Sequence, residues 1–194
     1  MRRARAALGL ATAWLLVCQA AFAESAASVG ALLDRAETLR SAHQTSAAAA
    51  LVSQALKVDP KSFRARYEMG LIDNDRGDVK GAIMSLTVAI QSLGGAPAPD
   101  ATIYNTLGWL YMSVGDVGDA EHWYRVGYAN KSRLSTSAQQ KLLNNLGNLY
   151  LIKGNSAAAT RYFGEAAAKG NIPAQAILPK VASLPQQQVR AAAR

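Results

Sequence analysis

A block of sequence occurs twice in this chain, and the second copy lies 39 residues after the first. Each copy has a Leu-Gly pair, an aromatic residue, a turn glycine, an alanine and a second aromatic residue. The first copy consists of Leu107, Gly108, Tyr111, Gly115, Ala120 and Tyr124, and the second of Leu146, Gly147, Tyr150, Gly154, Ala159 and Phe163. Because self-similarity at a fixed spacing is typical of repeat architectures, the chain is predicted to be a stack of repeats.

Two weaker copies precede this pair. One has Gly70, Gly77, Ala82, Leu86 and Ala89 at the same offsets, and the other has Ala36, Leu39, Ala48, Val52, Ala55 and a closing Asp59-Pro60. The repeats therefore cover about residues 29–60, 63–96, 101–134 and 140–173. Apolar residues at helical spacing predict two helices in each repeat, and no useful run alternates with period two. We place the helices at 29–42, 45–58, 62–75, 79–92, 101–114, 117–130, 136–153 and 156–169.

This pattern resembles the tetratricopeptide repeat family over about residues 29–173. The third and fourth repeats match best, whereas the second has Asp73 in place of the aromatic residue and the first lacks both glycine and aromatic residue. The stretch 166–175 is also similar to the end of a Sel1-type repeat. The resemblance implies an all-α fold, a right-handed superhelical solenoid of about four helix–turn–helix repeats, in which at least three repeats must stack to bury their apolar faces. Residues 174–194 are expected to form a capping helix and a disordered tail.

The first 23 residues have the three-part layout of a secretory signal peptide. A positive start is followed by an apolar run that is short for a membrane span, and then by small residues at the cleavage spacing. These parts are Arg2, Arg3 and Arg5, the run 6–17, and Ala21 and Ala23 before Glu24. The repeat domain would then be 24–173, in a periplasmic or secreted protein. The alternative is an uncleaved anchor in the inner membrane.

Cys18 is the single cysteine of the chain, and it lies inside this leader. Its removal would leave no thiolate for metal binding or nucleophilic attack. Lipidation of Cys18, with outer-membrane association, stays open, although Val17 is branched where lipidation sites have a small residue. Removal of the three leader arginines would lower the net charge from +8 to +5, and the basic residues look scattered, so we expect no nucleic-acid partner. No second apolar run follows, so we expect no membrane span in the mature chain.

The resemblance also implies a concave groove that is lined by the first helix of each repeat. Side chains five and nine positions into that helix, with neighbours at the rim, form the candidate peptide-binding set: Arg64, Tyr67, Asn105, Trp109, Met112, Lys141, Asn144 and Asn148. Asparagine amides can pair with a peptide backbone. Trp109 is suited to be an apolar anchor, and Lys141 and Arg64 could bind a carboxylate. The alternative is that Trp109 packs between repeats and the asparagines face water.

The sequence gives little indication of a catalytic, metal-binding or cofactor-binding site. The stretch 73–78 is rich in Asp and Asn, but Met84 stands where a calcium loop needs its final glutamate. We therefore interpret Arg76-Gly77-Asp78 as a helix turn. His43 and His122 lack companion ligands at metal spacing. We expect no enzyme activity, no metal and no cofactor.

The expected function is that of a scaffold that binds a protein or peptide in the bacterial envelope. By resemblance, exported proteins of this kind include assembly factors of pili and secretion systems, and TadD-like pilus-assembly proteins are the nearest type. One alternative is a structural subunit that uses its convex face, for example Arg125 and Arg161. The other is an enzyme whose site the sequence does not reveal. The oligomeric state is left open.

Overall fold

The computed structural model describes residues 28–183, and every regular element in that range is helical. The helices are α1 (28–41), α2 (Thr45–Val58), α3 (Phe63–Asp75), α4 (Val79–Gln91), α5 (Thr102–Ser113), α6 (Val117–Ala129), α7 (Thr136–Ile152), α8 (Ser156–Ala168) and α9 (Ile172–Ala182), with a 3-10 helix at Lys131–Arg133. The prediction of an all-α helical repeat fold is confirmed. Each predicted helix begins and ends within one residue of its observed bounds.

Several predictions concern residues on which the structure gives no description. These are the signal peptide with its cleavage residues Ala21, Ala23 and Glu24, the neighbouring Cys18, and the tail 184–194. Between residues 28 and 183, no helix has the length and apolar character that crossing a bilayer requires.

Five turns between consecutive helices share one backbone hydrogen-bond pattern. In each, an N–H donates to the carbonyl five residues earlier at 2.8–3.0 Å, as from Asp116 to Tyr111. The residue before that N–H has a φ between 60° and 82°, in the left-handed region where glycine is favoured. It is Gly77, Gly115, Gly154 or Gly170 in four turns, and His43 in the first. The local sequence therefore determines where these helices end.

The residue after each turn glycine also begins the next helix. The side chains of Asp78, Asp116, Asn155 and Asn171 each accept a hydrogen bond from the backbone N–H three residues later. Such an N-cap satisfies a donor that has no partner within the helix. The Arg-Gly-Asp sequence is thus a turn between α3 and α4.

A glycine in the first helix of three repeats allows the second helix to approach closely. A Cβ on Gly108 would lie 2.4 Å from Cδ1 of Tyr124, and one on Gly147 would lie 2.6 Å from Cε1 of Phe163. Gly70 approaches Leu86 in the same way. These large side chains fill the space that the missing methyl group leaves.

The chain divides into two compact units, with the boundary between Ser92 and Leu93. Unit 1 contains α1–α4, and its core cluster is formed by Val29, Leu33, Ala36, Ala48, Val52, Ala55, Ala65 and Ile72. Unit 2 contains α5–α9 and buries larger side chains, including Leu107, Leu110, Tyr124, Leu142, Leu143, Leu146, Leu149 and Phe163. In unit 2, α9 packs on α8 and buries Ala174 and Val181.

Candidate functional site

Six of the predicted groove residues lie in unit 2, on α5 and α7. Trp109 is 49% exposed, Lys141 and Asn148 are exposed, and the other three are half-buried. Residues three or four positions apart share one side of a helix, so Lys141, Asn144 and Asn148 form a row along α7. We call the surface formed by these residues and Asn145 the α5–α7 face; its α5 members are Asn105, Trp109 and Met112.

A side-chain hydrogen bond joins the two helices of this face. The Nδ2 group of Asn145 donates to Oδ1 of Asn105 at 3.0 Å. This bond uses one donor hydrogen and one acceptor lone pair, which leaves the Asn105 amide hydrogens and the Asn145 carbonyl oxygen for other groups. The pair therefore offers a donor and an acceptor side by side, and a peptide unit presents the complementary pair of groups. Asn145 was not in the predicted set.

The other two predicted residues, Arg64 and Tyr67, lie on α3 in unit 1. Nη2 of Arg64 is 2.6 Å from Oδ1 of Asp34 and 3.4 Å from Oε2 of Glu37. The hydrogen bond to Asp34 raises the pKa of Arg64 above its usual value. Tyr67 stacks on Phe63, with ring centroids 5.8 Å apart. Arg64 thus has two acidic partners within its own unit, whereas Lys141 has no acidic partner within 4 Å in the described chain.

A buried charge also joins α1 to α3 in unit 1. Glu68 is 6% exposed, and Nε of Arg40 lies 3.2 Å from its carboxylate. Burial raises the pKa of Glu68 above its ordinary value, although the charge of Arg40 acts in the opposite direction. A second carboxylate, that of Asp75, lies 3.3 Å from Nη1 of Arg40. This cluster serves the packing of unit 1, because each of its charges has a partner.

Glu121 joins α6 to the end of α7 in unit 2. The Tyr150 hydroxyl donates to Glu121 at 2.7 Å, and the Lys153 ammonium group donates to its other oxygen. Burial alone would raise the pKa of Glu121, but the hydrogen bonds from Lys153 and Tyr150 outweigh burial and lower it. Burial and the bond to Glu121 raise the pKa of Tyr150 to about 12. The repeat aromatic Tyr150 therefore serves packing between helices.

A similar contact joins α6 to α8. The Tyr128 hydroxyl donates to Glu165 at 2.9 Å, and the Lys131 ammonium group lies 3.2 Å from the same carboxylate. The Lys131 ammonium group is also 3.9 Å from the centre of the Tyr128 ring. These contacts neutralise Lys131 and hold α6 and α8 together.

The two histidines and the acidic residues form no group of three metal-type ligands within residues 28–183. His122 contacts the Trp123 ring edge-on, with centroids 4.9 Å apart. His43 occupies the left-handed position of the first turn. His122 thus takes part in side-chain packing, and His43 in a turn between helices.

No protein-family model and no curated protein matches the chain, whereas solved structures do. The crystal structure of MamA is 25% identical over 76% of this chain and 81% of that chain, with a TM-score of 0.62. The structure of PilF from Pseudomonas aeruginosa is 18% identical, with 81% and 66% of the two chains covered and a TM-score of 0.64. YrrB, described as a TPR protein with an unusual peptide-binding site, is 20% identical, with 77% and 74% covered and a TM-score of 0.61.

These structures share their helical-repeat architecture with this chain. The predicted tetratricopeptide repeats are confirmed, whereas the similarity to Sel1-type and TadD-like proteins stays a prediction. The chain therefore has the helical-repeat fold of tetratricopeptide-repeat proteins.

Proposed function

We propose that the chain is a non-catalytic adaptor that holds a peptide or protein loop on its α5–α7 face. The observation that carries this proposal is the half-exposed Trp109 beside the Asn105–Asn145 pair. Burial of the exposed half of an indole removes about 100 Å² from water and contributes about 2.5 kcal/mol. The neighbouring amides would bind the backbone of the same segment. An apolar anchor next to paired donors and acceptors is a typical centre of a protein interface.

We further propose that the adaptor acts in the periplasm, in assembly of an envelope structure such as a pilus or secretion system. The support is the layout of residues 1–23 and the resemblance to exported proteins of this repeat family. A fusion of these residues to alkaline phosphatase tests export. Phosphatase activity requires the periplasm, so an inactive fusion would contradict the location. A labelled fatty acid that stays with the mature chain but not with Cys18→Ser would add outer-membrane association.

The groove is tested by capture of partners from envelope extract on the immobilised mature chain. Trp109→Ala should lose the partners that the wild type retains, whereas Met84→Ala and Ile172→Ala should keep them. The last two remove side chains that are 66% and 75% exposed outside the α5–α7 face, so they control for loss of apolar surface. If all four proteins recover the same partners at the same strength, the α5–α7 face is not the binding site.

A structural subunit that docks through its second helices is the second candidate. Arg125 on α6 is 69% exposed at its side chain, and Arg161 on α8 lies over the Tyr162 ring at 4.5 Å. Both arginines are accessible on helices that do not form the α5–α7 face. If this candidate is correct, substitutions of Arg125 and Arg161 will reduce assembly more than Trp109→Ala does.

A further inference from the structure

The charge of the chain is concentrated towards its C-terminal end. Residues 122–194 contain ten lysines and arginines but a single acidic residue, Glu165. Residues 1–121 contain eleven basic and twelve acidic residues. The basic residues are therefore less scattered than expected, because the excess of basic over acidic residues lies in α6 and in the residues that follow it. Such asymmetry within a chain indicates an electrostatic partner.

Five of the described cations of this region have no acidic group within 4 Å: Arg133, Lys141, Arg161, Lys169 and Lys180. Among residues 28–183, Lys131 pairs with Glu165, and Lys153 with Glu121, as described above. The sequence has no acidic residue after Glu165, so residues 184–194 offer no acidic side chain to pair with the other five cations.

Three of these five cations belong to one end of unit 2. Arg133 lies in the 3-10 helix before α7, Lys141 lies in the second turn of α7, and Lys169 follows the last residue of α8. The amide of Gln140, next to Lys141, donates to the backbone carbonyl of Lys169, which brings the two segments together. We call Arg133, Lys141 and Lys169 the basic end. The α5–α7 face runs into it, because Lys141 belongs to both.

The hydrogen bond between Asn105 and Asn145 fixes how α5 and α7 are aligned, and therefore how far Lys141 of the basic end lies from Trp109. Lys141 precedes Asn145 by one helical turn, and Trp109 follows Asn105 by one turn. Two turns along the shared helix direction amount to about 12 Å. An extended peptide advances about 3.3 Å per residue, so this distance corresponds to about four residues.

We propose that the partner is an acidic peptide segment, with carboxylates on the basic end and an apolar side chain about four residues away on Trp109 and Met112. This inference rests on the adaptor function proposed above. A peptide suits the site better than nucleic acid, because the carbonyl oxygen of Asn145 would repel phosphate oxygens but accepts a peptide N–H. A membrane surface suits it less, because a row of polar residues along α7 borders Trp109.

Selection from a display library of random linear peptides tests this proposal, because the library samples acidic and apolar positions in every spacing. The bait proteins are the wild type, a variant with all three basic-end residues changed to glutamine, and Lys141→Gln alone. A charge-matched control changes three exposed basic residues of unit 1: Arg35→Gln, Lys57→Gln and Lys80→Gln. Equal melting temperatures show that each variant is folded.

The wild type and the control should enrich peptides in which Asp or Glu lies about four residues from an aromatic or aliphatic residue. The basic-end variant should reduce the acidic enrichment about fivefold or more and retain the apolar position, with Lys141→Gln in between. If the control loses acidic enrichment to the same extent, the proposal is wrong, because the enrichment would then depend on the overall charge of the protein and not on the basic end. The proposal is also wrong if the basic-end variants weaken binding to phosphatidylglycerol vesicles or single-stranded DNA and leave the selected peptides unchanged.

The same selection separates this inference from the proposed function. If the wild type enriches apolar peptides without acidic residues, and Trp109→Ala abolishes that enrichment, the adaptor function stands and the acidic partner is wrong. If the wild type and Trp109→Ala enrich the same peptides, the groove itself is wrong.

Discussion

Replacement of Gly108 by alanine should destabilise unit 2, although alanine is the better helix former. The added Cβ would lie 2.4 Å from Cδ1 and 2.5 Å from Cε1 of the Tyr124 ring, whereas ordinary contacts are 3.4–4 Å. The ring would have to move by about 1 Å to restore van der Waals contact. Tyr124 is only 2% exposed, so its ring lacks free space into which it could move.

Two opposing terms set the size of the effect. Alanine in place of glycine within a helix stabilises by about 1 kcal/mol. Overpacking of a well-filled core costs about 1–3 kcal/mol, and a rigid buried ring belongs near the upper limit. The net loss is about 2 kcal/mol, which corresponds to a fall in Tm of about 4–8 °C for a chain of this size.

Thermal unfolding followed by far-ultraviolet circular dichroism measures this loss. Gly164→Ala in α8 is the matched control, because its Cβ would meet nothing within 4 Å. Only the helix preference then applies, and the Tm should rise. If Gly108→Ala is as stable as the wild type or more stable, the close approach of α5 to Tyr124 does not limit side-chain size, and the packing argument fails.

Three further substitutions have defined outcomes. The folded pKa of Glu121 is lowered, so its contribution to stability is present above its unfolded pKa and is lost as pH falls through the folded pKa. In Glu121→Gln, the free energy of unfolding measured with urea should therefore depend less on pH between neutral pH and about pH 3 than in the wild type. The folded pKa of Glu68 is raised, so its contribution to stability is present below the unfolded pKa and is lost as pH rises through the folded pKa. Glu68→Gln should therefore lose less stability than the wild type as pH rises towards neutral. If the two variants change the pH dependence in the same direction, the opposite pKa shifts of Glu121 and Glu68 are wrong. His43→Gly should raise the free energy of unfolding by about 1 kcal/mol, because glycine adopts the positive φ without strain, and a lower urea midpoint would contradict this.

The helices could be predicted closely because their boundaries depend on local residues. A turn glycine followed by Asp or Asn, as at Gly115-Asp116, both ends one helix and begins the next. The first repeat has His43 and Gln44 at these positions, so its turn had to be placed from the alanine pattern alone. The structure shows that the same backbone turn forms there without glycine.

The candidate site was less predictable, because it depends on contacts between helices. The exposure of Trp109 agrees with the sequence, in which the equivalent position holds a polar residue, Asn148. The bond between Asn105 and Asn145 depends on how α5 packs against α7, and neighbouring asparagines in one sequence cannot show which of them turns inward. The ion pairs of Arg64 depend in the same way on the packing of α1 against α3.

The five similar turns also bear on how such a chain can change its length. Each turn is closed by its own backbone bonds, so an inserted residue would break this bond pattern. The connections 59–62, 92–101 and 130–135 differ in length, and none of them has this pattern. Duplication, loss or exchange of a helical hairpin by recombination at these connections would leave every closed turn intact. Segment 59–62 is where an inserted tag or protease site should be tolerated best, because Asp59, Pro60 and Lys61 are exposed, whereas 92–101 and 130–135 contain the buried residues Ala98, Ala101 and Leu134.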